Sequence, residues 1–465
     1  MAKLSDYFFF LNPVNKFFMG GFWWLAIMAV IFFVPFLRVW WWVFFPLLLS
    51  IELRTLYLWW IEWDYAYANK KWVVLEVITP KEVLVPLKAM EDIFTVMWGV
   101  NYDSPNWREK WCEGMLTDAA GWTSYEIVSI EGNLHFYIRV TESGRSSLET
   151  VLYGHYPELE IREVPDYTKD VPQDMPNKEW NTYGEDFLLG GKSDVYPIRT
   201  YEKFFEPQGE KISAEEKRID PMSSLLEMMS KLGPGEQFWL QFIAMSSDEP
   251  DFQKEAEDVI AELTKRPVKK TKTFFAEISE MLWNVLFGPQ KEGSGEKASY
   301  SWIDSAKSDG DDGIKELLLS PGEREILTEV ENKLKRPVFR TGIRGMYVAR
   351  RENWNAGHRI LTRAYFGHFL TKQMNFISFS KITRPKTKYM FRKSVPVIRS
   401  RKMFRNYVAR FTPLFPNRKG EMSIFNTEEL ATLYHFPLKI TGLVAPTMAR
   451  VESKKGGPPP NLPME

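Results

Sequence analysis

Tyr125-Glu126-Ile127-Val128-Ser129-Ile130-Glu131-Gly132-Asn133-Leu134-His135-Phe136-Tyr137-Ile138-Arg139-Val140 is the stretch from which the fold is read. Two runs rich in β-branched and aromatic residues flank Glu131-Gly132-Asn133, so Tyr125 to Ile130 and Leu134 to Val140 read as a hairpin. Ahead of it, Trp72 to Ile78 is a β-branched strand and Pro86 to Trp98 an apolar-periodic helix. Behind it, Ser143 to Tyr156 reads as a helix and Leu159 to Val164 as an alternating strand. The order βαββαβ predicts a ferredoxin-like domain over 72–170, a four-stranded antiparallel sheet with two helices on one face. That fold by itself names no function.

A second α+β unit is expected over 190–375. Val195 to Tyr201 reads as a strand, Met222 to Leu232 as a helix stopped by Gly233-Pro234-Gly235, and Gln237 to Met245 as a strand. Pro321 to Lys335 then reads as a helix, Phe339 to Ala349 as a strand and Trp354 to Lys372 as a helix, so the unit looks like a decorated repeat of the first. Its insertion, 250–318, carries an amphipathic helix over 273–287 and a Gly/Ser/Asp/Lys-rich flexible linker over 288–316. Lys269 and Lys270 lead into that helix, and Phe274, Ile278 and Leu282 recur along it, a pattern that suits an anionic bilayer surface. An ordinary helix packed on its own domain is the competing reading.

Residues 17–51 carry one charge, Arg38. Phe17 to Val34 as a helix would be roughly 27 Å long, about the thickness of a hydrocarbon core. Pro35 interrupts the run, and a second apolar stretch follows with Trp40, Trp41 and Trp42 at one end and Trp59, Trp60 and Trp63 at the other. The expectation is a membrane anchor over 1–71, a transmembrane helical hairpin with helices at 17–34 and 39–60. Lys3, Lys16, Arg54, Lys70 and Lys71, against Arg38 alone in the turn, predict that both termini and the soluble domains lie on the cytoplasmic side of the membrane. A single span followed by an interfacial helix, or a signal peptide, are the competing readings.

The formal net charge is zero, but its distribution is uneven. Residues 1–332 hold 33 Lys/Arg against 54 Asp/Glu, residues 333–419 hold 23 against one, Glu352, and residues 420–465 hold 4 against 5. Such a basic tract faces a polyanion, an acidic partner or the acidic body of its own chain. Its densest part, the basic aromatic segment 376–419, holds Lys381, Arg384, Lys386, Lys388, Arg392, Lys393, Arg399, Arg401, Lys402, Arg405 and Arg410 among Tyr389, Phe391, Phe404, Tyr407 and Phe411. Cations interleaved with aromatics suit nucleic-acid contact, with anionic lipid and acidic protein as alternatives.

The single cysteine, Cys112, excludes an intrachain disulfide, and the five histidines have no close metal-ligand spacing. Gly191-Lys192-Ser193 is not a phosphate loop, because Asp186 stands where its earlier glycine belongs. No nucleophile elbow, zinc-protease helix or dinucleotide fingerprint occurs. No catalytic residue, metal or cofactor is expected, and the chain reads as a non-enzyme.

Phe425-Asn426-Thr427-Glu428-Glu429-Leu430-Ala431-Thr432-Leu433-Tyr434-His435-Phe436-Pro437, with the Pro-rich tail Gly456 to Pro463, resembles the segment preceding the motor domain of conjugation-type ATPases. With Tyr196 to Tyr201, Lys217 to Pro221, Lys231 to Gln237 and Tyr347 to Arg351, most of the chain is similar to the membrane-anchored N-terminal region of type IV secretion-like, HerA/FtsK-related proteins of candidate-phylum bacteria. The resemblance implies that 420–465 is a pre-motor segment docking an ATPase through Asn426, Glu428, Glu429, Tyr434 and His435. No P-loop follows Glu465 here, so the ATPase is expected on a separate polypeptide. The expected protein is a membrane-anchored, non-catalytic scaffold of tandem ferredoxin-like α+β domains, with a lipid bilayer, a P-loop ATPase, DNA and a second copy of itself as partners. The alternative is a membrane-surface structural protein that binds anionic lipid or an acidic protein without DNA.

Overall fold

The computed structural model describes residues 70–80, 83, 85–102, 122–204, 220–247, 250–264, 290–292, 299–301, 319–387, 392, 394–414 and 421–437, besides the short run 29–35 and isolated positions before residue 70. Along the chain come β1 (Trp72–Ile78), α1 (Lys88–Asn101), β2 (Trp122–Ile130), β3 (Asn133–Thr141), α2 (Glu142–His155), β4 (Glu160–Val164), β5 (Trp180–Leu189), α3 (Pro221–Ser230) and β6 (Glu236–Ser247). Next are α4 (Pro250–Leu263), β7 (Gln290–Glu292), β8 (Ser299–Ser301) and α5 (Pro321–Leu334). The chain continues with β9 (Val338–Arg350), α6 (Leu361–Gly367), β10 (Ile377–Phe379), α7 (Ser394–Ala409), β11 (Ser423–Asn426) and α8 (Thr427–Leu433).

Two compact units result, one comprising 1–248 with 336–465, the other 249–335. The first is built on a nine-stranded sheet ordered β10-β5-β9-β6-β2-β3-β1-β4, with β11 added to β9. All of its pairings are antiparallel. The connectivity βαββαβ occurs twice within it: β4-β1-β3-β2 on one side and β10-β5-β9-β6 on the other, joined where β2 pairs β6 from Trp122↔Met245 to Ile130↔Gln237. The first central hairpin turns tightly at Glu131 and Gly132, both at positive φ (53° and 87°), and a Cβ on Gly132 would come within 2.8 Å of the Ser230 carbonyl oxygen. The second central connection, between β6 and β9, carries the other unit.

That other unit contains α4, α5 and the β7–β8 hairpin. Its α4 and α5 pack together, and Phe252, Ala256 and Val330 are buried. A capping box of Ser320 and Glu323, with Pro321 in the first turn, starts α5.

Alternation along the strands gives the sheet two covered faces. Tyr125 and Ile127 of β2, Phe238 and Leu240 of β6, and Ile343 and Tyr347 of β9 share one core with α1, α2, α3, α6 and α8. Val128, Trp239, Met346 and Val348 point the other way and pack with Tyr167, Val171, Met175 and the α7 residues Met403, Phe404 and Tyr407.

Several expectations are corrected. In place of tandem ferredoxin-like domains behind a transmembrane hairpin, the strands form one continuous sheet, because β6 pairs with β2 along the whole of β2. Among the described residues no helix is long and apolar enough to cross a membrane, and most of 17–34 and 39–60 lies outside them. The expected transmembrane helices are corrected on that ground, and nothing in the fold supports a secretion or conjugation role. Val195 to Tyr201 is not a strand: the Ile198 and Tyr201 N–H groups donate to Glu429 Oε1 (2.9 Å) and Thr432 Oγ1 (3.0 Å) of α8. The strand in that half is Trp180–Leu189, and the helix expected from Trp354 is only the seven residues of α6. The segment 273–287, with Phe274, Ile278 and Leu282, lies outside the described residues, as do Lys269 and Lys270.

Candidate anion-binding face

The sequence Ser394 to Ala409 makes α7 two-sided. Val395, Ser400, Met403, Phe404, Asn406 and Tyr407 are buried, whereas Ser394, Val397, Arg401 and Arg405 are exposed at helical spacing. The inward side rests on the sheet through Trp239, whose ring centroid lies 5.2 Å from Tyr407 and 6.2 Å from Phe404. Gly184 of β5 admits the helix closely, since a Cβ there would stand 2.5 Å from Met403 Sδ. Apolar contact on the inner side therefore fixes which cations of α7 face outward.

Many arginines of the basic tract turn inward and meet carboxylates. Arg410 follows α7 at φ 55° and is fully buried. Its Nε donates to Glu126 Oε1 at 2.9 Å, its Nη2 to Glu126 Oε2 at 3.1 Å and Asp166 Oδ1 at 3.0 Å, and its Nη1 to Asp166 Oδ2 at 2.5 Å. Glu126 also accepts from Ser124 (2.7 Å), Tyr167 (2.7 Å) and Gln241 (2.9 Å), and Tyr167 meets the Tyr407 hydroxyl at 2.8 Å. Burial opposes ionisation of Glu126, but the Arg410 charge and these hydrogen bonds outweigh it and hold the carboxyl below its usual range. This network sits where the two half-sheets meet, since Glu126 and Gln241 are paired across β2 and β6. Apart from Gln241 Oε1, a buried acceptor without a partner among the described residues, its groups answer one another, which suits a structural rather than a chemical role.

Arg344 of β9 pairs with Asp186 of β5 at 2.6 Å, both side chains 2% exposed. Arg336, at the start of the second chain segment of this unit, bridges Glu91 at 2.7 Å and Glu428 at 2.6 Å. Burial, aided by Glu202 and Glu91 and opposed by a Thr200 hydrogen bond and Arg336, raises the Glu428 carboxyl to about 6.

The expected anion contacts therefore divide. Arg410 is interior, and Arg384 is engaged with Glu185. Lys381, Lys386, Arg392, Arg401 and Arg405 are exposed. Arg399 and Lys402 are half-buried and line a pocket with Val395, Ile398, Thr383 and Leu414. Lys388 and Lys393 lie outside the described residues. The loop 380–386 is tied to α7, because Arg399 Nη1 donates to the carbonyls of Arg384 (3.0 Å) and Lys386 (3.4 Å). On the other side of the helix, Arg401 Nη2 reaches the Pro176 carbonyl at 3.5 Å.

The residues expected to dock a motor are used inside the chain. Asn426 and Glu429 form a reciprocal capping box that starts α8, at 2.8 and 2.9 Å. His435 Nε2 lies 3.0 Å from Asp220 Oδ1, and the Tyr434 ring packs on Tyr125 at 5.2 Å. Asn426, Glu428, Glu429, Tyr434 and His435 are all buried, 6% exposed at most, so they present no surface to a partner. Sequence reasoning missed Glu126, Asp166, Asp186 and Glu185, the carboxylates on which arginines of the basic tract are seated. One signal was present: Glu126 shares a strand face with Val128 and Ile130, and a charge at such a position calls for a buried partner.

Among the described residues no group of three or more His, Cys, Asp or Glu side chains is arranged to hold a metal ion. Comparison with protein-family models and with curated proteins finds no match to this chain.

Proposed function

We propose that this chain is a non-catalytic binding module whose α7 face contacts the phosphate backbone of nucleic acid. The observation that carries the reading is the outward row of α7: Arg401 and Arg405 stand exposed on the helix, and Lys381, Lys386 and Arg392 are exposed in the segment that precedes it, in a tract with no carboxylate between residues 353 and 420. Arg410 and Arg344 turn inward onto Glu126, Asp166 and Asp186, and the outward row is set at the surface, where a polyanion can reach it. Backbone contact of this kind gives affinity with little sequence preference and a strong dependence on salt.

Fluorescence anisotropy of the full chain with a labelled DNA duplex, titrated with salt, tests the reading. Binding should weaken linearly in log salt, and the Lys386→Gln/Arg401→Gln/Arg405→Gln variant should show a slope shallower by roughly 0.9 for each phosphate it no longer neutralises. Absence of duplex binding at low salt, or a triple variant with an unchanged slope, overturns it.

A further inference from the structure

We infer that Arg359, Arg363 and Arg384 form a phosphate-binding site beside β5 and β10, assembled around the single carboxylate of Glu185. Arg363 grips Glu185 with both ends of its fork, Nε to Oε2 at 2.9 Å and Nη2 to Oε1. Arg384 Nε lies 2.9 Å from the same Oε1 and 3.1 Å from the Tyr183 hydroxyl, which itself donates to Glu185 at 2.6 Å. Phe379 of β10 stiffens the pair, for the guanidinium carbons of Arg363 and Arg384 each lie 4.5 Å from its ring centroid. Arg359 is held over the Tyr183 ring at 5.2 Å, with its Nε on the Ala356 carbonyl at 2.9 Å.

Charge and donor geometry both point to a missing anion. Glu185 needs one guanidinium, and three are gathered there, a surplus of two positive charges. The Glu185 side chain is 2% exposed, whereas those of Arg363 and Arg384 are 32% and 21% exposed, so the carboxylate lies beneath and the guanidiniums face out. Arg363 Nη1 and the terminal nitrogens of Arg384 and Arg359 donate to no described residue. Planar forks with free N–H pairs at fixed positions match phosphate oxygens better than a mobile lysine does. The carbonyl of Arg384 accepts from Arg399 of α7, which joins this site to the exposed cations of that helix. That the phosphate belongs to a nucleic-acid backbone rests on the function proposed above; the site itself does not.

The test uses the full chain with two probes. Thermal unfolding is measured in sodium phosphate and in sodium chloride at matched ionic strength, and anisotropy is measured with a labelled duplex. The variants are Arg359→Gln, which keeps both arginine pairs on Glu185, and Arg359→Gln/Arg384→Lys, which leaves the Arg363 fork in place. The expected result is a wild-type melting temperature higher in phosphate than in chloride, reduced in the single variant and lost in the double, with duplex affinity lowered roughly tenfold in the double. A phosphate response absent from the wild type, or equal in all three proteins, overturns the site whatever the duplex does. A phosphate response that the variants abolish, with no duplex binding by any protein, upholds the site and removes only the nucleic-acid reading.

Discussion

Arg410 and Arg401 belong to the same basic tract, yet the fold treats them in opposite ways. Arg410, just past the end of α7, is buried between Glu126 and Asp166, and Arg401, on the outer row of that helix, is exposed. The difference teaches that a local count of cations measures neither free charge nor binding capacity. A basic segment laid on a sheet is sorted by its apolar residues: whichever side carries Met403, Phe404 and Tyr407 goes inward, and cations on that side need carboxylates waiting for them.

The largest expected effect breaks the inner half of this comparison. Arg410→Met leaves Glu126 buried without its counter-ion and should cost about 3–5 kcal/mol in urea denaturation, with Arg410→Met/Glu126→Leu recovering a substantial part. Equal stability of the Arg410→Met and Arg401→Met proteins would mean that the two arginines are not distinguished by burial after all.

A smaller effect, set by pH, is expected at Glu428. Its folded carboxyl is raised to about 6 against 4.5 for the ordinary group, so the folded state binds the proton more tightly than the unfolded one. The stability this provides is fully present below the unfolded value and is lost as pH rises through the folded one. Glu428→Gln, which keeps the neutral form, should therefore match the wild type near pH 4 and exceed it by about 1–2 kcal/mol at pH 7.5. A gain of the same size at both pH values would show that ionisation is not the cause.

The smallest effect on stability sharpens the outer half. Lys386→Gln/Arg401→Gln/Arg405→Gln should shift unfolding by only about 0.5 kcal/mol or less while weakening duplex binding, because exposed cations hold little of the fold together. A triple variant that unfolds as readily as Arg410→Met would place these side chains in the structural set.

Local elements were legible in proportion to how local their causes are. The hairpin Tyr125 to Val140 announces itself through alternation around Glu131 and Gly132, and the register Ile130↔Asn133 follows from that turn. Trp180–Leu189 was missed because Gly184, Glu185 and Asp186 interrupt its apolar pattern, and those residues are explained only by Met403, Arg363 and Arg344 on distant elements. Val195 to Tyr201 misled in the reverse direction, since its apolar residues are buried against α8 without joining a ladder. The expected contact at Arg410, and the expected docking residues in and around α8, share one failure: composition names a charge but not its partner.

By itself the sequence determined the strand and helix signals of β1 to β4, the tight first hairpin, the division of charge and the capping residues of α8, because each depends on neighbours a few positions apart. Only the tertiary structure decided that both sets of strands share one sheet and which arginines remain at the surface. Those outcomes turn on pairings such as β2 with β6, and Arg410 with Glu126 across 284 positions of chain. Backbone hydrogen bonds and buried ion pairs choose their partners by proximity in the folded chain, and proximity at that range is a property of the whole packed molecule.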